Sequence, residues 1–488
     1  MKTMIVIIVA GGLIAQAFIG LSFFISSVLE REKRASLFAG VQFCLMTFLM
    51  VFFCYFYIIN FFNTGTGIII ISSIMILGIG FLFFFARETP GNPKALKGTK
   101  GLIRGDINRF DERDHVFARN RSLPADSEQY SEYYSKYPEF EELDAKRRKK
   151  GGPIGIPGSI DNPGANANIA GIMASLSMPQ YLSTPEKYNP APHIFIKNKL
   201  NGEKIEISPE EAAIRIKGYA KALGASLVGI TKINQSWIYS NRGEIFNENW
   251  EEWGKKIDLT HTHAIVLAHE MDSDMVGSAP HTPTCIESMI NYAKGSYIST
   301  QVASYIANLG FDATANHFRH YDTLMVPLAV DAGLGEVGRL GYLITKKYGP
   351  RVRLSLVTTD LPLMQDKPVD IGVEDFCTIC KKCAVCCPSN SIPHEDQIVA
   401  NGTLRWKMNA QSCFEYWGKI GTDCNICMNV CPWSHADTFP HRIIKTLISR
   451  NNMSRKLFNL MDDVFYGKKP KSKPAIKWAQ FRLWDINR

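Results

Sequence analysis

Apolar residues dominate the start of the chain, in two windows without a charged side chain, residues 3–29 and 35–86. A helix needs roughly 20 apolar residues to cross a bilayer, so the first window predicts one transmembrane span. A polar, glycine-containing turn divides the second window and predicts two more spans, over about 37–61 and 67–86. The pattern therefore predicts a multi-pass membrane protein with three transmembrane helices.

The charges that flank these windows predict their orientation. Lys2 precedes an apolar run, as in a secretory signal, but the length of the run, the lack of a clear small-residue cleavage site and the spans that follow favour an anchor. The first loop carries Arg31, Lys33 and Arg34, and basic residues also follow Arg87. The positive-inside rule therefore places the remaining chain on the cytoplasmic side, and no twin-arginine export signal contradicts this.

Beyond residue 87 the pattern changes to that of a globular protein. Helical periodicity near 209–223 and 286–309 alternates with strand patterns at 225–231 and 263–268, which predicts an α+β or α/β layer architecture. The 488 residues carry a net charge of +9, from 55 basic and 46 acidic side chains. The excess is modest and forms no long basic run, so nucleic-acid binding is not predicted.

Most of the 12 cysteines cluster late in the chain, in a pattern typical of metal binding. A C-x2-C-x2-C-x3-C-P run is the bacterial ferredoxin pattern, in which three thiolates hold one iron-sulfur cube and the fourth goes to another. A second run, C-x2-C-x3-C-P, follows with one cysteine upstream of it. Crossing the fourth ligands predicts two 4Fe-4S clusters, one held by Cys377, Cys380, Cys383 and Cys431, the other by Cys387, Cys413, Cys424 and Cys427.

Two alternatives accompany this interpretation. A zinc site is the competing use of cysteine groups, but eight thiolates in a double pattern, each run closed by proline, favour iron-sulfur clusters. Cys386 adjoins a predicted ligand yet breaks the spacing, so it is predicted to be a buried non-ligand. Cys44, Cys54 and Cys285 stand alone and are predicted to be small core residues.

Glycines crowd the segment from 331 to 341, DAGLGEVGRLG. Such density lets a backbone pass close to a large flat or phosphorylated ligand, or supplies turns that need a positive φ. The G-x-G-x-x-G spacing is met, but a proline in the preceding run and the lack of a convincing acidic residue further on argue against a dinucleotide site.

Six segments, in order, resemble the corrinoid-dependent reductive dehalogenases over roughly residues 95–480. They are RFDERDHVFAR at 109–119, AGLGEVGR at 332–339, YGPRVRL at 348–354, TDLPL at 359–363, DCNICMNVCPW at 423–433 and DDVFYG at 462–467. The resemblance implies an oxidoreductase with a nitroreductase-like, cobalamin-binding core of the α+β class. It further implies a base-off cobalamin, fed by the two clusters, that removes halide from a small organohalide.

The resemblance also assigns roles to particular residues. Tyr292 is the implied proton donor, Ser288 a polar residue on the halide side and Arg353 the basic partner, with Asn316 as a further polar contact. Tyr297 competes with Tyr292, and Arg351 with Arg353. A cation beside a phenol stabilises the phenolate left after proton donation. The residues implied to contact the cofactor are Gly333, Leu334, Gly335, Gly338, Arg339 and Gly341.

Together these observations predict five regions. They are a transmembrane anchor at 1–90, an N-terminal extension of the catalytic unit at 91–192, a cobalamin-binding core at 193–370, a two-cluster module at 371–440 and a C-terminal tail at 441–488 that packs on the core. The anchor, with Glu30-x-Glu32 in its first loop, resembles the small separate membrane protein that accompanies the family. The missing twin-arginine signal departs from the exported, respiring members.

Two other functions are compatible with parts of the sequence. An epoxyqueuosine reductase shares the cobalamin and two-cluster plan but predicts a basic RNA-binding surface and no spans. A membrane-bound iron-sulfur electron carrier without catalysis predicts no bound corrinoid. The electron donor, quinone-linked or resembling ferredoxin or flavodoxin, and the organohalide itself are left open by the sequence.

Overall fold

A computed structural model of the chain describes residues 2–149, 163–182, 204–245, 250–474 and 476–479. The predicted boundary at 192/193 and the end of the predicted tail lie outside these ranges. The chain divides into two compact units. Unit 1 comprises Met1–Gly91, Ile371–Cys380 and His435–Lys471; unit 2 comprises Asn92–Asp370, Lys381–Ser434 and Ser472–Arg488. The five predicted regions stay predictions, since both units are assembled from separate stretches of chain.

Helices and short strands alternate along the chain. The helices are α1 (Lys2–Leu29), α2 (Lys33–Ile58), α3 (Gly65–Ala86), α4 (Val116–Ser122), α5 (Glu128–Lys136), α6 (Pro138–Lys149), α7 (Pro163–Leu182), α8 (Pro209–Ala222), α9 (Ser273–Gly277), α10 (Thr282–Asn308), α11 (Met325–Asp331), α12 (Val373–Cys380), α13 (Lys382–Val385), α14 (Ala410–Ile420), α15 (Ile426–Asn429), α16 (Phe439–Arg450) and α17 (Asn452–Phe465). The strands are β1 (Leu227–Lys232), β2 (His263–Glu270), β3 (Ala313–Asn316), β4 (Glu336–Val337), β5 (Leu343–Ile344), β6 (Val352–Thr359), β7 (Ile398–Ala400) and β8 (Thr403–Arg405).

Unit 2 is built on an antiparallel sheet with strand order β1-β2-β6-β3. Alternate residues of the central strand β2 face opposite sides, and both sides are buried. Ile265 and Leu267 pack with α8 and α10, whereas Val266 joins a second core formed with α11 and β5. An antiparallel sheet with both faces covered confirms the α+β class predicted from the sequence.

Strand β3 is shorter than its neighbour β6, and this leaves a space beside the part of β6 that does not pair with β3. Strand β6 has eight residues, but β3 pairs only with residues 356–359 of it. The first half of β6 is therefore paired with β2 alone in the described part of the chain, and its other edge borders a cavity. Helix α10 runs across this region and brings Ser288 and Tyr292, four residues apart, to one helix face.

Unit 1 contains the N-terminal apolar helices. Helices α1 and α2 form an antiparallel hairpin joined by a tight turn at Arg31, whose φ of 58° is left-handed. The two helices approach so closely that a Cβ on Gly20 would lie 3.3 Å from Cα of Phe43. Within the same unit, the rings of Phe23 and Phe38 pack against Phe465 of α17 at 5.1 and 5.6 Å between centroids.

Two helices of the described residues are long and apolar enough to cross a membrane, Met4–Leu29 and Lys33–Ile58. Only 11% and 6% of the residues in their most apolar windows are buried, as expected of helices that face lipid. The third apolar helix, α3, starts at Gly65, but its described apolar part, Gly65–Gly80, is shorter than a span. The structure therefore supports two of the three predicted spans, and the third is not established.

Candidate functional site

A cavity of about 420 Å³ opens beside the first half of β6 in unit 2. This volume is in the range of ordinary ligand pockets. One part of the wall is apolar and comes from the start of α11 and from β5 and β6. The rest is mainly polar and aromatic and comes from α10, β6, the cysteine-rich segment and the stretches at 115–117, 239–244, 318–323 and 342. The apolar set is Leu324, Met325, Val326, Pro327, Leu343, Val352 and Leu354.

Arg353 is the cation on the cavity wall, and it is held by three side chains. Its Nη2 donates to Oγ of Ser288 at 2.7 Å and lies 3.8 Å from Oδ2 of Asp423. Ser288 in turn donates to Asp423 at 2.9 Å, and Nδ2 of Asn425 donates to the same carboxylate oxygen at 2.9 Å. A buried guanidinium requires such partners, because an unpaired buried charge is strongly destabilising.

Electrostatics in this network follow from its burial. Desolvation acts to lower the pKa of Arg353, but Tyr292 and Asp423 more than offset it, and the net shift is upward. Burial raises the pKa of Asp423, while Arg353 and Ser288 act in the opposite direction. The guanidinium therefore keeps its positive charge against the cavity.

Tyr292 lies on the same wall, in contact with Arg353. The guanidinium carbon lies 5.3 Å from the centre of the Tyr292 ring, a cation–π distance. On the other side the ring stacks on Phe318, with centroids 4.4 Å apart and planes at 23°. Contacts with a cation and with an aromatic ring thus hold the phenol at the cavity. A proton donor needs such a fixed position.

The structure separates the competing candidates. Tyr297 is 44% exposed and does not line the cavity. Arg351 is buried elsewhere, with Nε donating to the carbonyl oxygen of Ser434 at 2.6 Å and Nη1 to that of Met271. These contacts tie Arg351 to the backbone, so Tyr292 and Arg353 are the pair that the fold brings together.

Asn316 does not join this group. Its side chain donates to the carbonyl oxygen of Thr314 at 3.1 Å and accepts from the backbone NH of Asp322 at 2.7 Å. The amide thus braces the chain after β3, and Asn316 is not among the residues that line the cavity. The predicted polar contact from this residue receives no support from the geometry.

Other protein atoms pack closely against the backbone of the glycine-rich segment. Gly333 has a φ of 71°, and a Cβ there would lie 2.3 Å from the carbonyl oxygen of Lys367. A Cβ on Gly335 would lie 2.1 Å from the carbonyl oxygen of Ile344, and Leu334 packs in the core beside α11. Turn geometry and backbone packing therefore explain these residues without a ligand.

The last three residues of the predicted cofactor set have similar roles. A Cβ on Gly338 would meet the side chain of Ile344 at 2.3 Å, and Gly341 has a φ of 81°. Arg339 donates to two backbone carbonyl oxygens, those of Pro393 and Glu395. None of the six predicted cofactor residues is among those lining the cavity, so their contact with a corrin stays a prediction.

Sequence reasoning missed several side chains of the cavity. Asp423 and Asn425 flank Cys424 in the segment at 423–433 that carries the resemblance, and neither was assigned a role. His115 and Phe117 sit within a segment that was quoted for its resemblance, but neither was assigned a role. Tyr321 donates to the Glu244 carboxylate on the same wall, and no sequence pattern marks that pair.

Cobalamin has to fit this cavity if the resemblance holds. The apolar wall suits the edge and face of a corrin ring, and the opposite group offers a phenol and a guanidinium for substrate. His115 is the one histidine among the lining residues, and its Nδ1 accepts from the backbone NH of Phe117 at 3.3 Å. The lining suits the face of a corrin ring chemically, but about 420 Å³ holds only part of a cobalamin, so binding of the complete cofactor stays a prediction.

The second predicted set of cluster ligands lies entirely in unit 2, where its geometry can be tested. Burial raises the pKa of Cys424 to about 12, and Cys413 and Cys387 add to the shift. Burial likewise raises the pKa of Cys427, and Cys383 of the other predicted set contributes more to the shift than Cys424, Cys413 or Cys387 does. Four thiols that influence one another in a buried site fit a metal cluster, since bound metal keeps such thiols deprotonated.

Hydrogen bonds and backbone shape support the same assignment. The backbone NH of Ser391 donates to Sγ of Cys387 at 3.3 Å, as is common for cluster thiolates. Asn425, between Cys424 and Cys427, has a left-handed φ of 49°, which turns the short C-x2-C segment back on itself. In the other predicted set, Cys377 and Cys380 belong to unit 1, while Cys383 and Cys431 belong to unit 2.

The second set adjoins the cavity through Tyr342. This residue lines the cavity, and burial raises the pKa of its phenol, with Cys427 and Cys413 adding to the shift. Asp423 and Asn425, on either side of Cys424, line the same cavity. A cluster held by Cys387, Cys413, Cys424 and Cys427, as predicted, would therefore lie next to the cavity wall.

In comparisons with known proteins, the longest alignments are to reductive dehalogenases. The tetrachloroethene reductive dehalogenase of Sulfurospirillum multivorans is 30% identical over 292 residues, 54% of this chain and 58% of the relative. That of Dehalobacter restrictus is 32% identical over 282 residues, 49% and 51% of the two chains. The chain thus spans about half the length of the curated relatives it matches. No family model matches the chain.

A solved structure and a shorter alignment complete the comparison. The catabolic reductive dehalogenase NpRdhA aligns with a TM-score of 0.58 at 24% identity, covering 78% of this chain and 49% of that one, which shows a shared fold. An epoxyqueuosine reductase of Lactococcus garvieae is 34% identical over 114 residues, 22% of this chain and 31% of the relative. The resemblance predicted from the sequence segments is confirmed.

The adjacent cysteines at 386 and 387 provide a test of the cluster assignment. We expect Cys387→Ser to lower the iron content of the purified chain by about four atoms, because one cube loses a ligand. Cys386→Ser, the matched control, should leave the iron content unchanged. Iron determination with the absorbance near 400 nm checks both. Equal iron in the two variants, or a larger loss from Cys386→Ser, would contradict the ligand set.

The glycine-rich segment provides a second test, through stability. We expect Gly335→Ala to lower the free energy of unfolding by about 1–3 kcal/mol, because the new methyl group collides with a backbone oxygen. Gly218→Ala, in exposed α8 with nothing near its Cβ position, should raise it by about 0.5–1 kcal/mol. Denaturant midpoints of the chain without added cobalamin report both. An unchanged midpoint for Gly335→Ala would instead favour a ligand-contact role.

Proposed function

We propose that this chain, a relative of the reductive dehalogenases over about half of its length, is an oxidoreductase that replaces a halogen of a small organohalide with hydrogen. The observation that carries the proposal is the meeting of Tyr292 and Arg353 at one cavity wall, with the fully buried Ser288 hydrogen-bonded to Arg353. The reaction takes two electrons and one proton and releases halide. It therefore needs a proton donor and a cation beside a reductant.

Cobalamin, when bound in this cavity, supplies two electrons at cobalt to the carbon–halogen bond. The apolar residues from α11, β5 and β6 would hold it, and their lack of charge would exclude water from the reacting centre. The base-off state implied by the resemblance belongs to the same proposal.

Tyr292 donates the proton that becomes the new C–H bond. Stacking on Phe318 fixes the plane of the phenol, so the hydroxyl keeps one position relative to a bound substrate. Arg353 beside the ring stabilises the phenolate that remains after transfer. The phenol must then be reprotonated from solvent before the next turnover.

Ser288 and Asp423 act as positioning residues for Arg353. Both contact the same Nη2 atom, so the guanidinium cannot swing away from the cavity without breaking two buried contacts. The single negative charge of Asp423 lies farther from the guanidinium than the hydroxyl oxygen of Ser288 does. Arg353 thus keeps an electrostatic effect on the cavity that a tight bidentate ion pair would weaken.

Electrons reach the cavity through two 4Fe-4S clusters in this proposal. The cluster held by Cys387, Cys413, Cys424 and Cys427 is the terminal donor, a role supported by the electrostatic influence of Cys427 and Cys413 on Tyr342, which lines the cavity. The cluster of Cys377, Cys380, Cys383 and Cys431 accepts electrons from outside. The external donor is quinone-linked or resembles ferredoxin or flavodoxin.

The N-terminal helices anchor the enzyme in the cell membrane. Two exposed apolar helices of sufficient length support anchoring, and α3 completes a three-span anchor in this proposal. The basic residues of the first loop and of the segment after Arg87 favour a catalytic portion on the cytoplasmic side.

An epoxyqueuosine reductase-like activity is the alternative that one observation favours. The 114-residue alignment to such an enzyme reflects a common cobalamin and cluster plan. Release of halide from an organohalide, with no activity on epoxyqueuosine in transfer RNA, separates the two functions.

A pair of tyrosine variants tests the proposed function. We expect Tyr292→Phe to lower kcat for halide release by about 100-fold or more, because general acid catalysis contributes about 10²–10⁴ in rate. Tyr297→Phe, five positions away on the exposed side of α10, should retain the activity of the parent. Turnover is measured by ion chromatography of halide, with reduced viologen as donor and chlorinated ethenes and halophenols as substrates.

Cobalt and iron contents of both variants should match the parent. A loss of turnover then reflects a slower reaction and not a loss of cofactor or clusters. Full activity in Tyr292→Phe, or equal losses in the two variants, would contradict the role of Tyr292.

A further inference from the structure

A second cluster of metal-binding side chains lies in unit 1, separate from every cysteine. It combines Glu30, at the end of α1, with His435 and His441, the latter in the first turn of α16. One potential ligand atom from each lies within 4.8 Å of the others. We propose that these three residues bind a zinc ion that fastens the first loop of the anchor to the segment that follows the last cluster cysteine.

The distance between two of the side chains favours a shared metal over a direct hydrogen bond. Nδ1 of His441 lies 3.5 Å from Oε1 of Glu30. A hydrogen bond between them would measure about 2.7–3.2 Å. Two ligands each about 2.0–2.1 Å from zinc, at the tetrahedral angle, lie about 3.3 Å apart. The same bond lengths at the octahedral angle give about 2.9 Å, so the spacing fits tetrahedral zinc better than octahedral iron.

Both histidines have the outer hydrogen bond that metal ligands require. Nε2 of His435 lies 2.7 Å from Oδ1 of Asp462, and Nε2 of His441 lies 2.8 Å from the hydroxyl of Tyr466. Such partners fix the ring orientation and tautomer, and a carboxylate partner makes the imidazole a better ligand. Asp462 and Tyr466 belong to one segment, so a single element orients both rings.

Burial and charge favour an ion at this position. Glu30 is 9% exposed and His441 is 3% exposed. A divalent ion at this position would be bound by two imidazole nitrogens and by a carboxylate of opposite charge. Two histidines and one glutamate, with a fourth position for water, form a known zinc donor set.

One contact must change when the metal binds. The hydroxyl of Thr438 lies 2.8 Å from Nδ1 of His441, the same nitrogen that faces Glu30. Rotation about the Thr438 side chain releases that nitrogen at the loss of one hydrogen bond. Thr438→Val removes this competitor without touching a ligand and should therefore retain zinc or bind it more tightly.

The test is zinc determination on the full chain in detergent, with X-ray absorption at the zinc edge. We expect about one zinc per chain, with nitrogen and oxygen ligands at about 2.0–2.1 Å and the outer scattering of imidazole. Glu30→Gln and His435→Gln should each lower zinc affinity by about tenfold or more. Glu32→Gln, with the same charge change two residues further on, should bind zinc as the parent does.

Three outcomes would overturn the proposal. The first is absence of zinc from a chain purified with zinc supplied. The second is a sulfur shell near 2.3 Å, which would place the zinc on cluster cysteines. The third is a failure of Glu30→Gln and His435→Gln to lower the zinc content, whether the metal content stays unchanged or iron is lost in place of zinc. Iron content near that of the parent in each variant shows that the cluster module is still folded.

Discussion

The active-site architecture depends on one buried cation. Arg353 lies on the central strand β6, where the shorter β3 has already ended, and its side chain turns into the space left beside that strand edge. A guanidinium in such a place is tolerated only with hydrogen-bonding partners. Ser288 of α10 and Asp423 of the cysteine-rich segment provide them. The need to pair this charge therefore joins sheet, helix and cluster segment around the cavity.

That arrangement connects electron supply with proton supply. Asp423 and Asn425 flank Cys424, so the residues that hold Arg353 are continuous in sequence with a predicted cluster ligand. Tyr292 lies on the other side of Arg353, stacked on Phe318. A reductant bound in the cavity would border both the segment that carries Cys424 and the proposed proton donor.

The sequence predicted the parts of this site that carry a local pattern. Cysteine spacing predicted two ligand sets, which stay a prediction, and the i, i+4 relation of Ser288 and Tyr292 put both on one helix face, as observed. The sequence did not reveal Asp423 as a partner of Arg353, since the two residues meet only through long-range packing. It also assigned Gly333 to the cofactor, because a glycine needed for positive φ and one needed for ligand approach look alike in a sequence.

The central claim is that the chain holds a corrinoid beside its own clusters and uses it for dehalogenation. The most direct measurement is cobalt and iron content of the full chain, produced with cobalamin supplied, together with halide release by the same preparation. The account predicts about one cobalt and about eight iron per chain, with halide formed only when cobalt is present. Eight iron without cobalt, or cobalt-replete protein that releases no halide from any organohalide tested, would contradict it.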